Sequence, residues 1–353
     1  MTKERRCRDL LSAYPQLQWL PPVESAESGF RNKAKMVVSG STQQPILGIL
    51  DPSGRGVDLS DCPLYPRSLQ ACFPPLAAFI TQAAIVPYDL ASRRGELKYL
   101  LVTEADDGGL MLRFVLRSEA ALARIRRHLP ALLASLPALR VVSANLQPEH
   151  KAILEGEREI LLTPQERLSI RVNELTLHLR PQSFFQTNTA VAAALYRQAR
   201  EWVAETSPKT LWDLYCGVGG FALHCADEAR EITGIEVGKE AVASAGQSRD
   251  QAGNRPGFSR VRFVAADATA FAAAQPQAPD LAIVNPPRRG IGETLCRYFD
   301  ASSTKWLIYS SCNAESLARD LASMPSLKPQ RARLLDMFPQ TRHHEIIVLM
   351  ERV

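Results

Sequence analysis

Between residues 31 and 180 the chain repeats one pattern: short runs of β-branched and large apolar residues, each closed by a turn signal. AKMVVSG, PILGIL, LKYLLVTE, LMLRFVLRS, LRVVSANL, EILLT and ELTLHLR are the strand candidates. Two longer stretches, Ser68 to Ala84 and Glu119 to Leu136, carry helical patterning instead. This alternation predicts a mixed α+β domain over residues 1–180, with an antiparallel sheet. After Asn188 the pattern changes. TAVAAALYRQAREWVAE reads as a helix, and from TLWDLY to EIIVLME strands alternate with helices, FALHCADEA among them. That spacing predicts a doubly wound parallel sheet within residues 181–353. Such folds bind ligands beyond the carboxyl ends of the strands, so residues just after each strand matter most.

Those positions carry chemistry. Asp213-Leu-Tyr215-Cys-Gly217-Val-Gly219-Gly220 closes the first strand, and its glycines let the backbone turn tightly beside a ligand. Similar loops also occur without one. Glu236 closes the next strand, 19 residues after Gly217, where an acid can accept hydrogen bonds from ribose hydroxyls. A solvated acid at a helix start has the same appearance. Asp267 closes the third strand and is equally an N-cap. Asn285-Pro-Pro-Arg288 closes the fourth with a proline-stiffened turn that projects a side-chain amide. Together these elements resemble the S-adenosylmethionine site of Rossmann-like methyltransferases. Ser310-Ser-Cys312-Asn313 closes the fifth strand. A thiol there becomes a nucleophile if neighbouring donors and the following helix lower its pKa; a packing cysteine is the alternative.

Composition narrows the class. With 353 residues, 46% hydrophobic and 22% charged, the chain suits about two globular domains and excludes disordered or collagen-like proteins. No window approaches the ~18 apolar residues of a membrane span, and the first residues lack the apolar stretch of a secretory signal. A cytoplasmic protein without membrane partners is expected. Seven scattered cysteines, none in a CxxC pair, indicate neither a disulfide framework nor a zinc site. Net charge is +5, of which +4 falls within residues 1–180. A polyanionic partner is permitted by this excess without being required. Arg31, Lys33 and Lys35 alternate along a predicted strand and share one face, while Arg93, Arg94 and Lys98 cluster before another.

GFRNKAKMVVSG, DCPLYP, RGELKYLLVTE, RPQSFFQTN, DLYCGVGGFALHC, VNPPRRGIG, IYSSCNAESLARD and DMFPQTRHHEIIVL run through the chain in order. From about residue 28 to the end, the sequence resembles the RNA uracil-C5 methyltransferase family, in particular its bacterial members acting on a hairpin-loop uridine of 23S ribosomal RNA. The resemblance implies a Rossmann-like class I methyltransferase domain, residues 181–353, preceded by a mixed α+β RNA-recognition domain, residues 1–180. By resemblance Cys312 is the nucleophile that adds to uracil C6, and Glu345 is the base that removes the C5 proton. His343 and His344 are rival bases. Gln186, Tyr215, Gly217, Glu236 and Asn285 correspond to contacts of the methyl donor, S-adenosylmethionine, with weaker support for Asp267. Phe184 and Phe185 are placed to flank the base, or to pack in the core. Arg31, Lys33, Lys35, Arg93, Arg94 and Arg288 are the expected contacts to 23S ribosomal RNA, by an enzyme that works as a monomer and not on DNA.

The family usually carries an N-terminal cysteine cluster that, with the cysteine of DCPLYP, holds a [4Fe-4S] centre. Here Cys62 is the sole remaining candidate ligand, because Cys7 falls in a predicted helix and does not match the missing positions. Two rival functions stay open at this point. An amino-group methyltransferase acting on adenine or glutamine also uses an NPP step, but normally follows it with an aromatic residue where Arg288 stands. A catalytically silent RNA-binding or folding factor would have no need for Cys312 and Glu345 together.

Overall fold

The computed structural model describes residues 2–151 and 153–353. Its contacts divide into two units, one of residues 1–27, 171–178 and 183–353, the other of residues 28–170 and 179–182. Helix α1 (Lys3–Leu10) and the two-residue strand β1 (Gln18–Trp19) open the chain.

The second unit follows, with β2 (Lys33–Gly40), β3 (Pro45–Leu50), β4 (Gly56–Asp58), α2 (Arg67–Gln70), α3 (Phe73–Gln82), β5 (Leu97–Glu104), β6 (Leu110–Leu116), α4 (Leu122–Ser135), β7 (Leu139–Leu146) and β8 (Arg158–Leu161). Its sheet runs in the order β4-β3-β2-β5-β6-β7-β8. Alternation along β2 sends Ala34, Met36 and Val38 into a core shared with Phe73, Phe79 and Ile80 of α3 and Ile125 of α4. Lys33 and Lys35 consequently lie on the opposite face, half-buried and exposed respectively. The sheet is not wholly antiparallel as predicted. β6 and β7 pair in parallel because α4 carries the chain back across the sheet between them.

Strands β9 (Leu168–Val172) and β10 (Leu175–Leu179) pair with each other. The remainder of the first unit comprises α5 (Thr189–Thr206), β11 (Thr210–Leu214), α6 (Gly220–His224), β12 (Glu231–Glu236), α7 (Lys239–Gln251), β13 (Val261–Ala265), α8 (Ala268–Ala274), β14 (Leu281–Val284), α9 (Glu293–Ala301), β15 (Trp306–Ser311), α10 (Ala314–Ala322), β16 (Leu327–Leu335) and β17 (Glu345–Arg352). The sheet order is β1-β16-β17-β15-β14-β11-β12-β13. β11 through β15 are parallel, and β17 enters antiparallel between β15 and β16. The crossover direction reverses between β11 and β14, which puts a ligand crevice at their carboxyl ends. α6 is shorter than FALHCADEA suggests, since the Asp227 side chain accepts from the Ala229 amide and turns the chain away.

The boundary at residue 180 needs correction for the start of the chain. Residues 1–27 belong with the first unit. Cys7, Leu11 and Leu17 are buried in its core, and β1 pairs in parallel with β16, Gln18 opposite Arg331. Burying those side chains outweighs any preference for the sequence neighbours of residue 28.

Candidate functional site

At the end of β15 and the start of β17, three side chains from distant segments meet. Glu345, 3% exposed, accepts hydrogen bonds through Oε1 from Asn285 Nδ2 at 2.8 Å and Ser310 Oγ at 2.6 Å. Asn285 Nδ2 also reaches Ser310 Oγ at 2.9 Å. Burial pushes the Glu345 carboxyl up to about 7, while the bonds from Ser310 and Asn285 act in the opposite direction. A carboxyl balanced there changes charge near neutral pH, as a proton acceptor must. With Glu345 in its expected role of proton acceptor, which requires the ionised form, activity should rise as pH rises through about 7. Ser310→Ala removes a bond that favours the ionised form, so the acid limb of the kcat–pH profile should move to higher pH. Superimposable profiles would mean that Ser310 does not set the ionisation of Glu345.

The two histidines are placed elsewhere. His344 Nε2 lies 3.2 Å from Cys7 Sγ of α1, and its Nδ1 is 3.1 Å from the Arg342 carbonyl. His343 is exposed and meets the Phe338 ring edge-on.

Cys312 follows β15 directly and is half-buried. Asn313 caps α10 by accepting from the Glu315 amide, and its Nδ2 donates to the Arg288 carbonyl at 3.0 Å, tying the SSCN and NPPR segments together. The NPPR turn is anchored again further on. Buried Asp320 accepts from the Ile291 amide at 2.8 Å and the Tyr309 hydroxyl at 2.7 Å. Gly290, at φ +88°, lies so close that a Cβ would sit 2.2 Å from Asp320 Oδ2. The condition that neighbours lower the thiol pKa is only partly met. Burial and then the Glu345 charge push it up, and the Arg288 guanidinium pulls against them by charge and hydrogen bonding. The resting side chain is therefore a thiol, with Arg288 the cation placed to favour its ionised form.

Across the switch point lies a second group. Asp213, fully buried, accepts from the Ala222 amide at 2.9 Å through Oδ2, while Oδ1 has no partner among the described residues. Burial raises its carboxyl to about 8. Tyr215 takes a left-handed φ of +64°, unusual for a residue with a Cβ and a form of strain found at functional sites. Gly217 at φ +54° has open space where a Cβ would stand. Glu236 accepts from the amides of Gly217 at 3.2 Å and Gly238 at 3.0 Å, one to each oxygen. Each carboxylate oxygen retains acceptor capacity for hydroxyl donors. Open backbone at Gly217 and a carboxylate beside it suit a polar ligand bearing a ribose. Asp267 caps α8, its Oδ1 accepting from Thr269 and Ala270. Gln186 is half-buried in the segment before α5, between buried Phe185 and the Asn188 cap of that helix.

The model of the family described as tRNA (Uracil-5-)-methyltransferase matches residues 157–353. The 23S rRNA (uracil(747)-C(5))-methyltransferase RlmC of Escherichia coli O157:H7 strain EC4115 is 51% identical over 347 residues, spanning 98% of this chain and 92% of that protein. The chain belongs to the (uracil-5-)-methyltransferase family. The RlmC of Shigella boydii serotype 4 is 52% identical over 344 residues, spanning 97% of this chain and 91% of that protein. Among solved structures, the Pyrococcus abyssi tRNA (uracil-54, C5)-methyltransferase in complex with S-adenosyl-L-homocysteine superposes with a TM-score of 0.80 at 22% identity. It covers 99% of this chain and 81% of that one. The Rossmann-like class I fold expected of residues 181–353 is thereby established.

The structure brings Cys312, Arg288, Asn285 and Glu345 into one neighbourhood, where Asn285 directs its amide nitrogen to the Glu345 carboxyl and to Ser310. Ser310 and Asp213 are not singled out by motif, although the serine stands two residues before Cys312 and the acid opens the glycine loop. Phe184 is 69% exposed and Phe185 is buried, so of the two rings Phe184 is accessible to a base. The iron–sulfur ligand set does not fit. Cys62 packs against the second unit's hydrophobic core, Cys7 faces His344 in the first unit, and no three ligating side chains converge among the described residues. No helix among those residues is long and apolar enough to cross a membrane.

The basic candidates of the second unit differ among themselves. Arg31 donates to the Lys33 carbonyl, and burial followed by the charge of Lys35 lowers the Lys33 pKa to about 8. Arg93 and Arg94 are exposed on the turn that follows Asp89. Lys98, grouped with them by sequence, is instead buried.

Proposed function

We propose that this chain transfers a methyl group from S-adenosylmethionine to C5 of one uridine in 23S ribosomal RNA, through a covalent bond between Cys312 and C6. The observation that carries this reading is the convergence of nucleophile, amide and base at the ends of β14, β15 and β17. The RlmC relatives support the choice of RNA. The methyl donor supplies an electrophilic sulfonium methyl group. Uracil C5 is too weakly nucleophilic to accept it directly, so Cys312 Sγ, having released its proton to solvent, adds to C6 as a thiolate and makes C5 electron-rich. Arg288 favours that thiolate. After C5 takes the methyl group, Glu345 receives the C5 proton, the C5–C6 double bond re-forms and the thiolate leaves. Asn285 and Ser310 hold the carboxylate in place throughout.

Mass spectrometry of nuclease-digested 23S ribosomal RNA, from cells with and without the gene, tests the reading. One 5-methyluridine should vanish with the gene and return with purified protein. Methylation appearing on adenine or on a glutamine side chain instead would overturn it.

In this reading Glu236 binds the donor ribose, supported by its place beside Gly217. Charge-assisted hydrogen bonds are worth about 1.5 to 3 kcal/mol, so Glu236→Ala should weaken donor binding roughly ten- to a hundredfold and leave RNA affinity unchanged. Calorimetry with S-adenosylhomocysteine reads this directly; an unchanged Kd would reduce Glu236 to a loop anchor. Arg31, Lys33, Lys35, Arg93 and Arg94 contact RNA phosphates in the same reading. Neutralising Arg31, Lys33 and Lys35 together should weaken RNA binding and flatten its salt dependence by up to about three phosphate contacts. An unaltered salt slope would place the docking surface elsewhere.

A further inference from the structure

The second unit holds a cavity of about 270 Å³ on the sheet face opposite its core, lined by Val37, Tyr88, Lys98, Tyr99 and His150 among others. Its construction starts from an irregularity. The register of β5 against β6 slips between Leu97 and Tyr99, so Lys98 occupies a bulge, a device that re-aims a side chain out of strict alternation. Lys98 and Tyr99 consequently line the same cavity although they are consecutive in a strand. Tyr99 is half-buried and lies opposite Val37 in the register.

Lys98 is 6% exposed. Its Nζ donates to the Gln147 side chain and, at 2.7 Å, to the Glu149 carbonyl, and it stands 4.7 Å from the centre of the Tyr88 ring. The Tyr88 hydroxyl is in turn 2.9 Å from His150 Nδ1. None of the described residues places a carboxylate within ion-pair distance of Lys98, and the Glu149 carboxylate is paired with Lys151 at 2.5 Å. A buried ammonium bonded to neutral oxygens alone carries a desolvation penalty that an anion would offset. The cavity adds an aromatic side and an apolar side, near the small end of the ~300–1,000 Å³ range of ligand pockets. Exposed Leu90, Arg93 and Arg94 follow Tyr88 closely in the chain.

We propose that this cavity takes one nucleotide of the RNA substrate other than the methylated uridine, its base against Tyr99 and its phosphate against Lys98. The inference rests on RNA being the substrate. It adds a recognition site in the second unit built on aromatic stacking and one buried cation, in the manner of single-strand-binding surfaces.

The test uses full-length protein and a fluorescein-labelled 23S ribosomal RNA hairpin. Tyr99→Ala should raise Kd, and KM for RNA, about 5- to 150-fold, the span of one stacking contact, with kcat at saturating RNA unchanged. Tyr99→Phe keeps the ring and should bind within about twofold of the original protein. Lys98→Met should flatten the salt slope by about one phosphate, and Lys98→Arg should restore it. Should Tyr99→Ala or Lys98→Met fail to fold, photocrosslinking decides. The unaltered protein irradiated with a 4-thiouridine-substituted hairpin should yield crosslinks to peptides containing Tyr88 or Tyr99. A hairpin that is methylated normally, yet binds both cavity variants as tightly as the original or never crosslinks there, overturns the cavity assignment alone. Failure of the unaltered protein to methylate any 23S ribosomal RNA would instead overturn the proposed function.

Discussion

Cys312→Ala should abolish methyl transfer, lowering it by roughly 10⁴-fold or more, while S-adenosylhomocysteine binds within about threefold of its usual affinity. The two effects separate because Cys312 sits after β15, whereas the open backbone at Gly217 and the Glu236 carboxylate follow β11 and β12. The substitution should also be well tolerated by the fold. Cys312 is half-buried at a strand end, and the bonds of Asn313 that hold the loop do not involve the thiol. Label incorporation and calorimetry on one preparation suffice. Equal loss of both properties would mean that the cysteine shapes the donor site and does not attack the base.

Glu345→Gln should produce the opposite signature, a covalent protein–RNA adduct that accumulates. Glutamine matches the shape of glutamate and keeps an oxygen that can accept from Ser310 Oγ and Asn285 Nδ2, so the site stays assembled. It cannot take a proton. Addition to C6 and methyl transfer both precede deprotonation of C5, hence the reaction should stop with Cys312 still bonded to a methylated base. A denaturing gel would show RNA retained with the protein, and the adduct mass would include one added methyl group. Free, methylated RNA in that gel would assign proton removal to another group.

Much of this arrangement was legible in the chain. The turns after β11, β12, β14 and β15 announce themselves through Gly217, Glu236, Asn285 and Cys312, because a parallel sheet puts its chemistry where strands end. What escaped depends on partners far away in sequence. β1 has two residues and no alternation of its own; its strand character comes from β16, where Gln18 lies opposite Arg331. The parallel pairing of β6 with β7 is likewise set by the path of α4. The state of Glu345 is invisible to motif reading, since burial drives the carboxyl up to about 7 and the sequence shows only an acid at a strand start. Lys98 misled for the same reason. A lysine beside Arg93 and Arg94 reads as exposed charge, but the bulge in β5 takes it inside.

The position of β17 has a bearing on how the protein comes into being. Chains emerge from the ribosome at about 5–20 residues per second and fold domain by domain. Residues 28–170 form a unit with its own core, which becomes available early in synthesis. The other unit joins residues 1–27 to residues 183–353. Its strand β1 waits for β16, and β16 reaches β15 only through β17, whose last residue is Arg352. The first residue of β17 is Glu345. A nascent chain therefore carries Cys312 well before it carries Glu345, and the hydrogen bonds from Asn285 and Ser310 to that carboxylate form only once the start of β17 has been made.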